Sequence, residues 1–253
     1  LKGMAIRAKD GNVGSLADLY FDDQTFQIRY LVVDTNKWLP GRQVLVAPTS
    51  VLGIDLDDDQ IAIDLTKEQI QSSPERDQAQ PISRRFESLL HDYYGWYPYW
   101  AVPAHGILPY PTELMPKQLP REMLEMLQDH ANISGDGTLR SLAEVHGYQI
   151  HTSDDLFGEV EDFLIDVENA LVTDLVLNNH RWLPFGKRVL MPAFLLSDVS
   201  FFDHQVSIAF SKADLLDAPE FDWQHYHEET HRDYVNYYAS LYEAKTGEQP
   251  IAI

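Results

Sequence analysis

Cysteine is missing from all 253 residues, so disulfides, thiolate zinc sites, iron–sulfur clusters and thiol nucleophiles are excluded. That absence also fits a reducing compartment, and cytoplasmic residence is the expectation. No apolar run approaches the roughly 18 to 20 residues that cross a bilayer, so no membrane span is expected, and no signal peptide is visible. Positive charge is scarce: 19 Lys and Arg stand against 40 Asp and Glu, for a net charge of −21. Such a surface repels phosphate backbones and anionic lipid, so no nucleic-acid partner is expected. The imbalance is uneven, −5 over residues 1–75 and −13 over residues 139–253, and a basic partner would favour the latter. Phosphate-binding loops, dinucleotide-binding glycine patterns and a Ser-His-Asp order are absent as well.

What is present is a phrase written twice. "NKWLPGRQVLVAP" (36–48) is followed by "HRWLPFGKRVLMP" (180–192). At an offset of 144, Gly3 meets Gly147, Gly14 meets Gly158, Asp18 meets Asp162, Asp22 meets Asp166, and Trp38-Leu39-Pro40 meets Trp182-Leu183-Pro184. Pro48 is paired with Pro192, after which one inserted residue makes the offset 145: Gln60 meets Gln205, Lys67 meets Lys212, and Pro74-Glu75 meets Pro219-Glu220. A repeat of this length is a duplicated domain, not a solenoid turn.

Each copy reads as β-rich. Short alternating or β-branched runs such as "VGSLADLYFD", "FQIRYLVVD", "GEVEDFLIDV" and "ALVTDLVLN" are divided by glycine and Asx turns. "TKEQIQSSP" and "SKADLLDAP" follow the last strands. Thr66 with Gln69, and Ser211 with Asp214, have capping-box spacing, so a short helix is predicted in each. Trailing helices are predicted over "ISRRFESLLHDYY" and "ETHRDYVNYYASLYEA", with Tyr93-Tyr94 over Tyr237-Tyr238. Tyr234, Tyr238, Leu241 and Tyr242 share one helical face that must bury itself against its own barrel, the other barrel or another chain. Residues 98–138 have no counterpart; they read as an irregular proline-rich connector with one helix at "PREMLEMLQDHA".

In this order the motifs resemble the PRC-barrel family. "GNVGSLADLYFD", "IRYLVVDTNKWLPGRQVLVAP" and "IDLTKEQIQSSPE" carry the likeness in the first copy. "LFGEVEDFLIDV", "LVTDLVLNNHRWLPFGKRVLMP" and "FSKADLLDAPEFD" carry it in the second. The resemblance implies small closed β-barrels and an adaptor or assembly role in place of catalysis. Family members occur in the cytoplasmic part of the photosynthetic reaction-centre H subunit and in a ribosome-maturation factor. This chain lacks the membrane helix of the one and the partner domain of the other, so neither role transfers.

The expected class is mainly β with helical additions: two PRC-like small barrels in tandem, plus connector and trailing helices. The expected boundaries are 1–75 for the first barrel, 76–138 for the connector, 139–219 for the second barrel and 220–253 for a helical tail. Candidate interaction residues are Trp38, Pro40, Trp182, Pro184, Tyr93, Tyr94, Tyr237 and Tyr238. The tryptophans read either as partner anchors or as plugs in their own barrels. His227-Glu228-Glu229-Thr230-His231 is a literal H-E-x-x-H, which on a helix can share a zinc. A metal-dependent hydrolase using His227 and His231 is therefore an alternative, as is a small-ligand binder with its pocket between the barrels. The preferred reading has no catalytic residues, no cofactor, an unidentified protein partner and a homodimer formed through the aromatic stripes. "DLDDD" at 55–59 and the recurring Asp18, Asp22, Asp162 and Asp166 read as turn and strand-end acceptors.

Overall fold

The computed structural model describes residues 1–35, 38–39, 41–76, 82–101, 138–179 and 186–246. Two compact units divide the chain: Leu1–Tyr20 with Arg29–Leu139, and Phe21–Ile28 with Arg140–Ile253. The first sheet holds β1 (Ala5–Ala8), β2 (Gly11–Asp22), β3 (Ile28–Asp34), β4 (Gln43–Val46), β5 (Val51–Asp55) and β6 (Gln60–Ile63). Its order is β4-β3-β2-β1-β6-β5, and β7 (Leu139–Ser141) pairs with β2 off that path. The second sheet holds β8 (Gln149–His151), β9 (Leu156–Asp166), β10 (Leu171–Asn178), β11 (Arg188–Pro192), β12 (Leu196–Ser200) and β13 (Gln205–Ile208). Its order, β11-β10-β9-β8-β13-β12, repeats the first. Each sheet contains a parallel pair, with Ile6 beside Ile61 and Ile150 beside Val206.

The repeated glycines have a steric cause. A Cβ on Gly14 would lie 1.9 Å from the Asp34 carbonyl oxygen, and one on Gly158 would lie 2.1 Å from that of Asn178. Only a residue without a side chain lets β2 and β9 pass so close to the ends of β3 and β10. The repeated aspartates finish turns. Asp22 Oδ1 accepts from the backbone N–H of Gln24 and Thr25, and Asp166 Oδ1 accepts from those of Glu168 and Asn169. Asp55 does the same for Asp57 and Asp58, so the acidic run is a hairpin turn. Alternate strand residues such as Ile6, Val13, Val33, Val46 and Ile63 in the first sheet, and Ile150, Val160, Leu177, Val189 and Val206 in the second, are buried. Each such burial is worth about 1.5–3 kcal/mol.

Helix α1 (Lys67–Gln71) and, in the second unit, α4 (Lys212–Asp217) both carry the predicted capping box. The other α-helices among the described residues are α2 (Arg84–Tyr94), α3 (Leu142–Val145) and α5 (Glu228–Thr246). Arg42 donates to the carbonyls of Gln71 and Ser73 at the end of α1, and Lys187 donates to those of Leu216 and Ala218 at the end of α4. These cations satisfy carbonyls that a short helix leaves without partners.

Two expectations are corrected. Leu31 pairs with Val46 while Leu175 pairs with Met191, so β3 and β10 correspond at 144 but β4 and β11 already correspond at 145. The inserted residue therefore lies between Asn178 and Arg188, and Pro48 does not meet Pro192. Pro48 opens a 3-10 turn, whereas Pro192 ends β11. Secondly, the sheets are not closed barrels. Their paths end at β4 and β5, and at β11 and β12, with no ladder joining those ends among the described residues. The 3-10 turns Pro48–Ser50 and Ala193–Leu195 redirect the chain there, so β5 and β12 pair only with β6 and β13. The expected helix at 120–131 lies outside the described residues.

Candidate functional site

Each sheet is followed by a trailing helix, and the tyrosine pair fixes how it docks. Tyr93 Oη donates to the Gln69 carbonyl in α1 (3.0 Å), and Tyr237 Oη donates to the Asp214 carbonyl in α4 (2.6 Å). Leu90 and Tyr234 are buried at the same helical level. One turn earlier, each helix presents a polar side chain to the third strand of its sheet. The first unit pairs Glu87 with Tyr30 of β3, and the second pairs His231 with Asp174 of β10. Both pairs sit at the 144 offset, although no residue is the same.

In the first unit this contact is sealed. Glu87 has no exposed surface. Its Oε2 lies 3.0 Å from Tyr30 Oη and accepts from Tyr99 Oη at 2.6 Å, and Arg84 Nη1 stands 3.0 Å from Oε1. His91, one helical turn on, places Nε2 2.8 Å from Tyr30 Oη and Nδ1 3.1 Å from the Tyr97 carbonyl. Burial raises the Glu87 pKa, against the lowering effects of Arg84 and of the hydrogen bonds from Tyr99 and Tyr30. Burial lowers His91 to about 4, against the raising effect of its backbone hydrogen bonds.

The seal is the chain leaving α2. Gly95 takes the left-handed conformation (φ 71°) at the helix end, and its N–H bonds back to His91. The segment Trp96–Trp100 then folds over the pair. The His91 ring lies 4.7 Å from that of Trp100 and 5.7 Å from that of Trp96, and the Arg29 guanidinium covers the Tyr99 ring at 3.9 Å.

In the second unit the equivalent contact is open. Asp174 is 1% exposed, and both its oxygens face His231 Nε2, at 3.2 and 3.0 Å. The hydrogen bond to Asp174 raises the His231 pKa against the opposing effect of burial. The pair borders a cavity of about 850 Å³. Its walls include Leu171, Val172, Phe194, Val235 and Ala239, all within this unit.

The residues singled out in the sequence lie elsewhere or face other ways. Trp38 is half-buried, and its indole N–H donates to the Val13 carbonyl of its own sheet (2.9 Å). Pro40, Trp182 and Pro184 lie outside the described residues. Tyr93 is 40% exposed, Tyr94 stacks on Trp96 (4.2 Å), and Tyr238 is fully buried beside Phe210. Helix α5 begins at Glu228, so His227 precedes it, while His231 turns to Asp174. Among the described residues, no group of three or more His, Asp or Glu is placed to hold a metal ion.

The family model of the PRC-barrel domain matches residues 1–70. The two sheets match tandem PRC-like β domains. The PRC-barrel family is generally non-catalytic, and it points to an interaction or assembly role. No curated protein matches the chain. No helix among the described residues is long and apolar enough to cross a membrane.

Sequence reasoning missed Tyr30, Glu87, His91 and Asp174. A search for repeated identities passes over them because the two copies differ there. The available signal was a polar residue on an apolar stripe: Glu87 and His91 share the face of Leu90 and Tyr94 at helical spacing.

Proposed function

We propose that the chain is a non-enzymatic adaptor that assembles protein partners through its tandem PRC-like domains. The observation that carries this reading is the PRC-barrel match at residues 1–70, in a family associated with interaction or assembly. In the first unit, the Glu87–His91 cluster lies buried under the chain's own aromatic residues, which suits a packing role over acid–base catalysis there. Large apolar side chains left on the surface, Phe202 at 84% exposure and Leu52 at 67%, suit partner contact or a homodimer.

Capture from native extract on the immobilised intact chain, read by quantitative mass spectrometry, should retain a defined and saturable partner set. Retention no greater than on a matrix control would end the adaptor reading. Light scattering addresses self-association: the 29.0 kDa chain should show twice its mass at high concentration. A constant monomer mass removes the homodimer from the proposal.

A further inference from the structure

We propose that the cavity beside Asp174 and His231 is a docking site for a tyrosine- and tryptophan-bearing segment of a partner protein. This rests on the adaptor role above and names the chemistry of the partner.

The first unit supplies the template. Its equivalents of Thr173, Asp174, His231 and Val235 are Arg29, Tyr30, Glu87 and His91 at the 144 offset. Tyr30 and His91 are joined by a hydrogen bond, and Arg29, Glu87 and His91 each touch Tyr99, Trp96 or Trp100. An aromatic segment thus fills, in one copy, the place that is a cavity in the other.

The difference has a backbone cause. Gly95 stops α2 and turns the chain back over the pair. Its counterpart Ala239 continues α5, which runs on to Thr246. Among the described residues, the second copy's own chain runs on along the helix axis and does not return over Asp174.

Asp174 also has fewer donors than the buried carboxylate of the first unit's pair, Glu87, which stands at the position of His231. Glu87 Oε2 contacts two phenols, those of Tyr30 and Tyr99. The nearly inaccessible Asp174 receives one donor, His231 Nε2, in the described structure. A buried carboxylate favours two or three hydrogen bonds, and a phenolic O–H entering the cavity supplies one. The volume lies within the range of about 300–1,000 Å³ typical of occupied pockets. Asp166 and Glu243 stand among the lining residues, and residues 139–253 carry −13, so basic flanks on the segment are favoured.

The probe is the peptide GWYPYWA, the sequence of Gly95–Ala101, with a lysine added at each end. Titrated into the intact chain and followed by NMR of the His231 ring, it should bind saturably and shift that ring. Replacing its fifth residue of the GWYPYWA stretch, tyrosine, by phenylalanine should weaken binding about tenfold or more, the loss of one hydrogen bond to a charged group. Ala239→Phe, which fills the cavity from the helix, should abolish binding while leaving the melting temperature at or above its original value. Unsaturable binding, equal affinity for the phenylalanine peptide, or undiminished binding to Ala239→Phe would each overturn the proposal. Should Ala239→Phe unfold the chain, Val235→Phe offers the same block from one turn away, with the same two readings. Partner capture that persists in a folded blocked variant leaves the adaptor role standing and removes only this site; absence of any captured partner, with the peptide still bound, does the reverse.

Discussion

Two trailing helices, α2 and α5, dock on the capping-box helices α1 and α4 through the same tyrosine contact, yet the polar pairs beneath them differ. Beneath α2, an acid, a base and two phenols are closed under tryptophan. Beneath α5, a buried aspartate holds a histidine at the edge of a cavity. The difference teaches that duplication preserves what supports the backbone, while polar residues on a helix face diverge according to what covers them. Covered, the pair becomes a stabilising network. Uncovered, it is available to a ligand.

The strongest way to break this contrast is to remove the helix side chain in each copy. Glu87→Ala strands the half-buried Arg84 and two phenols, and should cost about 3–5 kcal/mol in urea denaturation. His231→Ala removes one charged hydrogen bond at an open edge and should cost about 1.5–3 kcal/mol. Equal losses would dissolve the distinction between sealed and open.

A second test concerns what the copies share. Gly14→Ala and Gly158→Ala force a Cβ against a backbone carbonyl in both sheets, so each should destabilise by about 3 kcal/mol. A large asymmetry would show that the sheets are less alike than their registers.

The pH dependences should run in opposite directions. His91 is held near 4 when folded, below its unfolded value of 6.5, so its contribution is present above 6.5 and lost as pH falls toward 4. That loss is worth at most about 3 kcal/mol at 1.36 kcal/mol per pKa unit. His231 is raised above 6.5, so its contribution is full below 6.5 and lost as pH climbs through the folded value. Ring proton shifts followed by NMR should show His91 neutral at pH 5 and His231 protonated there; matching titrations would contradict the two environments.

The smallest effects sit where the two helices part, at Gly95 and Ala239. Gly95→Ala places a side chain at φ 71° and should cost about 1 kcal/mol. Ala239→Gly, inside a continuing helix, should cost about 0.5–1 kcal/mol. Tryptophan fluorescence separates them, since only the first displaces Trp96 and Trp100.

Much of the architecture was legible because its causes are local. Gly14 and Gly158, the capping boxes at Thr66 and Ser211, and the Asx turns at Asp22 and Asp166 act within a few residues or through one close backbone contact. The loop insertion was misplaced because Pro48 and Pro192 look equivalent in a string of letters, and only ladder partners reveal that one begins a turn while the other ends a strand. Barrel closure was overread for a related reason: strand count does not say whether the end strands meet. The aromatic doublets were seen, but half of their surface faces inward, since Tyr238 packs on Phe210 and Tyr94 on Trp96.

The sequence by itself determined a doubled β unit with a capped helix and an aromatic helix behind each sheet, because spacing, glycine sterics and capping need no distant partner. Tertiary structure alone decided that Glu87 meets Tyr30 and His231 meets Asp174, and that one pair is roofed while the other opens on a cavity. Those outcomes depend on where the chain travels after each helix, and a left-handed glycine or a continuing alanine sends it over the pair or away from it.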